Sequence, residues 1–324
     1  MNISNYYYQK LGEEQKIIYD FIYDGINNLS GEILLPLTTS EHLYETYNSV
    51  LLDNPIFFYT KSYQYLNDYN NQRMVLMPLY KYTSDFINQS TEMLSDYLRL
   101  FDTVKNETDV NKELYIHDFC LSNFTYDHDF NEYSFSILGL VLLGNGVCEG
   151  ISKFIKVALN YLGIDCMVVS GSALNPMQNF RAEPHMWNIV SINNRTYHLD
   201  VTFNMSQTGK INRYDYFNLS DNDIKKDRTI TERVPICNTV GKDYYTANAL
   251  TVENFVELEG YIKKSLRKSE SIIVFKYTGN HRSNDIINKV NEIITRQSLC
   301  FFPRQIFIEV KYNPSQLVFE IQFN

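Results

Sequence analysis

The chain has 324 residues and a mass of 38.1 kDa, which is more than one compact core usually needs. Hydrophobic residues make up 44% of it and charged residues 21%, values that are ordinary for a globular protein. The formal net charge of -9 at pH 7 argues against binding to nucleic-acid backbones, because such proteins need clustered lysines and arginines. We therefore expect a folded globular protein without a nucleic-acid partner.

The sequence shows no sign of membrane insertion or secretion. Its start, MNISNYYYQKLGEEQ, lacks the basic residues, apolar run and small-residue cleavage site of a secretory signal. The longest apolar run, SILGLVLLG at 136–144, is far shorter than the roughly 18 residues needed to cross a bilayer. The five cysteines are odd in number and widely spaced, which disfavours a disulfide framework. We expect no membrane partner and a cytoplasmic location, although a secreted protein whose leader has been removed would have the same sequence.

The N-terminal region, residues 1–105, alternates helical and strand patterns. The segment EEQKIIYDFIYDGINNL predicts a helix, EILLP and NPIFFYT predict strands, and SYQYLNDYNNQRMVLMPLY predicts a hairpin. A second helical pattern, SDFINQSTEMLSDYLRLFDTV, ends the region. Its apolar positions fit a core or packing surface, and we recognise no chemistry in this α+β region.

The central region, residues 106–240, has the densest signals. ELYIHDFCLSNFTYD predicts a helix that runs into a loop. Within GNGVCEGISKFIKVALNYLGI, apolar residues from Ile151 to Leu162 recur at the spacing of one helix face, and Gly163 follows as a helix-ending glycine. Cys148 therefore lies at or just before a helix N-terminus. Unpaired backbone amides and the helix dipole favour thiolate over thiol at such a position.

A strand, a loop and a hairpin follow this helix. CMVVSGS predicts a strand, ALNPMQNFRAEP a polar loop, and HMWNIVSINNRTYHLDVTF a hairpin. Asn193 and Asn194 supply the positive φ angles that a two-residue turn requires. In that turn Ile192 faces Arg195, and every other pair of facing positions follows from this one.

The register of this hairpin brings a histidine and a carboxylate together. Trp187 faces Asp200 in the predicted pairing, and strand alternation places His185 on the face of Trp187. His185 and Asp200 then lie diagonally on one face, within reach of a hydrogen bond. His198 has the same face parity, so it is either a second polar partner at this face or a structural histidine.

Cys148, His185 and Asp200 can supply a nucleophile, a base and the group that orients the base, in that chain order. Any chain with five cysteines and six histidines offers such a set by spacing alone. A buried structural cysteine is the commoner outcome. The helix terminus and the hairpin register are the two features that favour catalysis.

The C-terminal region, residues 245–324, has its own pattern. VENFVELEGYIKKSLRKS and SNDIINKVNEIITRQS predict helices, SIIVFKYT predicts a strand, and IFIEVKYNPSQLVFEIQF predicts a closing strand pair. This order indicates a small α+β appendage.

Metal-binding patterns are weak. His117 and Cys120 are spaced as one ligand pair, but no second pair follows at zinc spacing. The acidic stretch at 221–232 has Lys226 where a calcium loop requires glycine, so we interpret it as a solvated acidic turn. We expect no metal and no cofactor, and we interpret His117 and Asp118 as structural, because neighbouring helical residues face different directions.

The central blocks resemble the core of the transglutaminase-like superfamily. The shared pattern is a G-x-C-x-G helix start, a strand with His-x-Trp-Asn and a strand ending in Leu-Asp-x-Thr, over about residues 110–220. The resemblance implies a papain-like α+β core, in which the helix bearing Cys148 packs on an antiparallel sheet bearing His185 and Asp200. Cys148 would be the nucleophile, His185 the base and Asp200 its orienting partner. RYDYFNLSDNDIKKD also resembles the segment that comes directly after this core in bacterial members.

Three further residues are candidates for supporting the site. Trp187 stands in the motif position, where its indole N–H either assists an oxyanion or belongs to a packed core ring. Asn188 and Thr202 are expected to support the site or its turn through hydrogen bonds.

The implied activity is cysteine-dependent acyl transfer or hydrolysis at an amide or peptide carbonyl, through a thioester, with a protein or peptide as substrate. Hydrolysis, deamidation and cross-linking use the same three residues, and we favour peptide hydrolysis because bacterial members are often hydrolytic. The alternative is a catalytically silent scaffold that binds a protein or glycan, for which the 26 tyrosines and 20 phenylalanines would provide contact area. An acyl transferase of the arylamine type would use the same residues, but nothing indicates a CoA site. The oligomeric state stays open.

Overall fold

The computed structural model describes residues 3–175, 181–301 and 307–323. Within these ranges the α-helices are α1 Tyr6–Lys10, α2 Glu13–Asn27, α3 Ser40–Asp53, α4 Ser84–Arg99, α5 Asp109–Asn123, α6 Cys148–Tyr161, α7 Val201–Gln207, α8 Asp221–Ile224, α9 Tyr244–Ala247, α10 Phe255–Arg267 and α11 Ser283–Phe301. The strands are β1 Ile33–Pro36, β2 Thr60–Asp68, β3 Arg73–Tyr80, β4 Thr125–Tyr126, β5 Asn145–Gly146, β6 Cys166–Asn175, β7 Arg181–Ile192, β8 Arg195–Leu199, β9 Arg228–Ile230, β10 Thr251–Val252, β11 Ile272–Tyr277, β12 Ile308–Asn313 and β13 Val318–Phe323.

The N-terminal region forms a three-stranded antiparallel sheet with the order β1-β3-β2. The predicted hairpin is confirmed as β2 and β3. The strand predicted at NPIFFYT is wrong, because β2 begins only at Thr60. Asn54 instead caps the end of α3 through a bond from its side chain to the Val50 carbonyl, and Pro55 has no N–H to donate to a sheet.

The central sheet is antiparallel, with the order β8-β7-β6-β9, and α6 packs on one face of it. The apolar stripe of α6 is fully buried, as its periodicity predicts. Asn193 and Asn194 have φ angles of 52° and 61°, and Ile192 pairs with Arg195 across them. The predicted turn and register of the hairpin are therefore confirmed.

The N-terminal segment covers the opposite face of this sheet. Ile3, Tyr6 and Tyr7 share a buried cluster with residues of β6 and β7, including Trp187. The Lys156 ammonium, buried on α6, donates to the carbonyl of Ser4 at 2.5 Å. The central sheet is thus buried on both sides, by α6 and by a segment 152 residues away from Lys156 in sequence.

The C-terminal region forms a four-stranded sheet with the order β10-β11-β13-β12, backed by α10 and α11 around a separate apolar cluster. A buried arginine joins this unit to the centre: Arg213 contacts Asp215 at 2.8 Å and Glu320 of β13 at 3.2 Å. Helices and mainly antiparallel sheets confirm the α+β class. In the described ranges, no helix has the length and apolar character that a membrane crossing requires.

Candidate active site

Cys148 is the first residue of α6, and its side chain is partly exposed. Two glycines shape the approach to it. Gly144 ends a π-helical turn with a φ of 69°, which glycine adopts without strain. At Gly150, a Cβ atom would lie 2.3 Å from the carbonyl oxygen of Ser134, so only glycine fits between helix and loop.

The loop before Cys148 is held by one carboxylate. Asp127 accepts hydrogen bonds from the backbone N–H of Asp129 and Asn131 and from the Ser134 hydroxyl. The Ser134 carbonyl in turn accepts from the N–H of Val147, which caps α6. This chain of bonds fixes the backbone immediately before the sulfur.

His185 lies on β7 opposite Gly171 of β6. Its Nε2 atom is 2.8 Å from Oδ2 of Asp200, and the Cys148 side chain is near enough to raise the pKa of its ring. Asp200 follows the last residue of β8 and caps α7, because its Oδ1 accepts from the N–H of Phe203 at 3.1 Å. The structure therefore brings together Cys148, His185 and Asp200, with His185 between the other two.

The charges of this group reinforce one another. Burial alone would lower the pKa of His185, but the carboxylate of Asp200 and the neighbouring Cys148 raise it to about 9. Burial would likewise raise the pKa of Asp200, but His185 and Arg228 hold it at about 2. Each of the two groups thus favours the charged form of the other.

Arg228 of β9 is a site residue that sequence reasoning missed. Its Nε and Nη2 atoms lie 3.1 and 2.8 Å from Oδ2 of Asp200, and its Nη1 lies 3.0 Å from Asp227. The guanidinium is fully buried between the rings of Phe203 and Tyr216, at 3.8 and 4.5 Å from their centroids. The expectation of a solvated acidic turn at 221–232 is therefore wrong at Asp227 and Arg228, which are both buried. The available signal was the short strand pattern that starts at Arg228.

Trp187 donates its indole N–H to Nδ1 of His198 at 3.1 Å. This N–H is therefore engaged away from the sulfur, while the indole ring stacks on His185 with centroids 6.0 Å apart and an interplanar angle of 16°. His198 does not share Asp200 with His185 but pairs with Oδ1 of Asp221 at 2.9 Å. Trp187 touches the site through its ring face.

Asn188 and Thr202 take different positions near the site. The Asn188 amide donates to the carbonyls of Ser152 on α6 and Met167 on β6, at 2.9 and 3.2 Å, and so ties the helix to the sheet. Thr202 is buried in the first turn of α7.

His117 and Asp118 do contact each other, contrary to the argument from helix directions. His117 Nδ1 lies 2.9 Å from Oδ1 of Asp118. The other ring nitrogen lies 3.0 Å from the amide of Asn204 on α7. The pair joins α5 to α7 and does not reach Cys148.

One grouping of possible metal ligands occurs in the described ranges, formed by His198, Asp221 and Cys237 within 4.8 Å of one another. Its hydrogen bonds fit poorly with a metal. The indole N–H of Trp187 can only donate, so Nδ1 of His198 is the acceptor and Nε2 of a neutral ring carries the proton. A metal at Nε2 would need the opposite tautomer.

Residues 99–201 match the sequence model of the transglutaminase-like superfamily, and this range includes Cys148, His185 and Asp200. The chain therefore carries a transglutaminase-like domain, which confirms the resemblance of its sequence motifs. No curated protein matches the chain.

Two solved structures are similar at low sequence identity. A candidate cysteine protease from Cytophaga hutchinsonii is 16% identical over 44% of this chain and 62% of its own, with a TM-score of 0.29. A TGase is 17% identical over 64% of this chain and 63% of its own, with a TM-score of 0.31. The chain thus spans less than two thirds of the length of either structure.

Proposed function

We propose that the protein is an enzyme that cleaves or transfers acyl groups at amide or peptide carbonyls through Cys148, His185 and Asp200. The observation that carries this proposal is a buried imidazole that contacts a buried carboxylate and whose pKa is raised by a partly exposed helix-terminal thiol. The transglutaminase-like domain match supports the same class. A purely structural core has little need for a cationic histidine beside a cysteine.

In the first half of the reaction, the Cys148 sulfur attacks the carbonyl carbon as a thiolate. Because Nε2 of His185 is bonded to Asp200, the proton on Nδ1 is the one available to the leaving amine. The C–N bond breaks, the amine departs with that proton, and a thioester remains on the sulfur. The backbone amides at the start of α6 lie next to the sulfur and are suited to stabilise the oxyanion.

In the second half, neutral His185 accepts a proton from the incoming nucleophile, which attacks the thioester. The C–S bond breaks and the sulfur leaves as thiolate, restoring the ion pair with His185. Water as nucleophile gives hydrolysis, and an amine gives cross-linking. We favour hydrolysis of a protein or peptide, because bacterial proteins with this core are often hydrolytic. Asp200 keeps its charge throughout and holds the imidazole in place.

The test begins with the thiol. Of the four cysteines whose side chains the structure describes, Cys148 alone is partly exposed, so a mild electrophile should label it first. We expect labelling near neutral pH to be lost in Cys148→Ala, slowed in His185→Asn, and retained in Cys120→Ala, which changes a buried cysteine. Wild-type labelling no faster than that of Cys148→Ala would contradict an activated thiol and favour the silent scaffold.

The reaction is then identified with a peptide library and an amine acceptor, read by mass spectrometry. Hydrolysis, deamidation and amine incorporation each give a different mass. Cys148→Ala should lower the rate of product formation by a factor on the order of 10³ or more, because the covalent route is removed. The proposal fails if the variant forms the same products at the wild-type rate.

A further inference from the structure

A second buried histidine lies two residues before Asp200 and takes no part in the proposed reaction. His198 is fully buried on β8, opposite Ile189, and its backbone bonds to Leu219 in both directions. Its ring connects Asp221 on one side to Trp187 on the other. The indole of Trp187 is in turn the surface on which His185 stacks.

The direction of every bond in this chain is determined by its donor. The indole N–H donates to Nδ1 of His198, so the proton of the neutral ring is on Nε2 and is donated to Asp221. Asp221 is itself held, because its Oδ2 accepts from the N–H of Cys237 at 3.2 Å. A second proton on His198 would place two donors against each other at Trp187.

The packing around Trp187 leaves little room for another indole position. Gly171 faces the ring, and a Cβ atom there would lie 2.8 Å from an indole carbon. His185 also has an edge-on contact with the ring of Phe203, with ring centroids 5.0 Å apart. The imidazole thus contacts two rings, and of these two only Trp187 is itself anchored by a hydrogen bond to another ring.

We propose that His198 and Asp221 are positioning residues, which hold the indole of Trp187 in the plane that orients His185 towards Cys148. The effect of this positioning on catalysis rests on the proposed function, whereas the structural link from His198 through Trp187 to His185 does not. The charged and titratable groups around His198 are Asp221 of α8, Lys225 directly after that helix, Asp200, and Cys237. Burial lowers the pKa of His198 below its ordinary value of 6.5, so the ring stays neutral at physiological pH.

Trp187 is the only tryptophan in the chain, so the tryptophan emission of the unmodified protein, excited selectively over its 26 tyrosines, reports on this link directly. We expect two pH transitions in emission, since a protonated imidazole next to indole quenches it. One lies near pH 9, where His185 titrates, and is lost in His185→Asn. The other lies below pH 6.5, where His198 gains its second proton, and is lost in His198→Asn.

Kinetic measurements then distinguish an effect of His198 on the position of His185 from an effect on the stability of the fold. In His198→Leu the indole N–H has no acceptor, so we expect kcat to fall about 10- to 100-fold with KM within about twofold. In His198→Asn the amide oxygen can replace Nδ1, and most of kcat should return. In a Trp187→Phe background, which has no N–H, His198→Leu should add no further loss.

The outcomes are distinguishable. The inference is overturned if His198→Asn keeps the acid transition, if His198→Leu and His198→Asn lose kcat equally, or if the effects of Trp187→Phe and His198→Leu add. If Cys148 proves unreactive, the proposed function fails, while the fluorescence titration of wild type and His198→Asn still decides the Trp187–His198 link. Unchanged far-UV circular dichroism across the acid transition shows that it reports the local bond.

Discussion

Asp200 lies between His185 and Arg228, and these two side chains have different roles. His185 and Arg228 both bind its Oδ2 atom, and all three groups are almost fully buried. Arg228 is fixed by its rings and by Asp227, so it provides permanent charge, whereas His185 must gain and lose a proton. Arg228 therefore keeps the carboxylate ionised in both states of His185.

Replacing this guanidinium should be costly. Arg228→Met leaves a buried carboxylate with one partner fewer, and we expect the free energy of unfolding to fall by roughly 3–5 kcal/mol. Urea denaturation measures this loss. Arg195→Met, at an exposed position on the same hairpin as His185, is the control, with an effect within about 0.5 kcal/mol. Equal effects of the two changes would show that Arg228 is not the stabilising partner of Asp200.

The proton on His185 should also make stability depend on pH. Its pKa in the folded protein, about 9, is above the ordinary value of 6.5, so the bound proton stabilises the folded state. This contribution is complete below pH 6.5 and is lost as the pH rises through about 9. Denaturant unfolding across this interval measures it. His185→Gln should have a flatter profile over that interval, and an identical slope would contradict the ion pair.

At the scale of elements, the close approach of α6 to its preceding loop depends on Gly150. Exchange of glycine for alanine within a helix usually stabilises by about 0.5–1 kcal/mol. At Gly150 the new methyl group would meet the Ser134 carbonyl, so the sign should reverse, with a loss of about 1–3 kcal/mol. Thermal unfolding, together with the labelling rate of Cys148, measures both the loss and the displacement of the sulfur.

Gly260 provides the matched control. It lies within α10, and a Cβ atom there would meet nothing within 4 Å. Gly260→Ala should therefore show the usual gain of about 0.5–1 kcal/mol and leave the labelling of Cys148 unchanged. A gain in both variants would mean that the loop at Ser134 moves aside without cost.

The sequence determined the hairpin better than any other element, for a local reason. Two adjacent asparagines fix the turn, and the two-residue side-chain period of a strand then fixes each pairing. The contact of His185 with Asp200 could therefore be predicted from strand alternation. Arg228 could not be placed in this way, since β9 joins the sheet beside β6, more than 50 residues earlier in the chain. The bond from Trp187 to His198 also depends on which way two rings turn, and alternation gives only their faces.

At the scale of the whole molecule, the predicted boundaries at 105 and 245 remain predictions, and one buried ionic group crosses the second of them. Arg213 binds Asp215 in the central region and Glu320 in the C-terminal sheet, and Tyr245 donates to the same Asp215. The C-terminal unit has its own apolar cluster, so the ionic contact with the central region can be weakened without removing the core of this unit.

Removing one carboxylate should loosen this contact. Glu320→Ala leaves Arg213 buried with one acidic partner, and we expect a loss of roughly 3–5 kcal/mol and earlier unfolding of the C-terminal sheet. Hydrogen exchange resolved by segment measures where the protection is lost. Glu309→Ala, which removes an exposed contact with Lys311 on the same sheet, should change stability by less than about 1 kcal/mol. Uniform loss across the chain would show that the C-terminal unit does not unfold separately.

The turn at Asn193 and Asn194 also limits how relatives of this chain can vary in length. Because the side-chain period of a strand is two, one inserted residue would move His198 and its neighbours to the opposite face of the sheet. Asp200 would then leave His185, although neither residue had changed. Functional relatives should therefore lack insertions of an odd number of residues at this turn. Substitutions within the turn that keep the positive φ angles should be accepted.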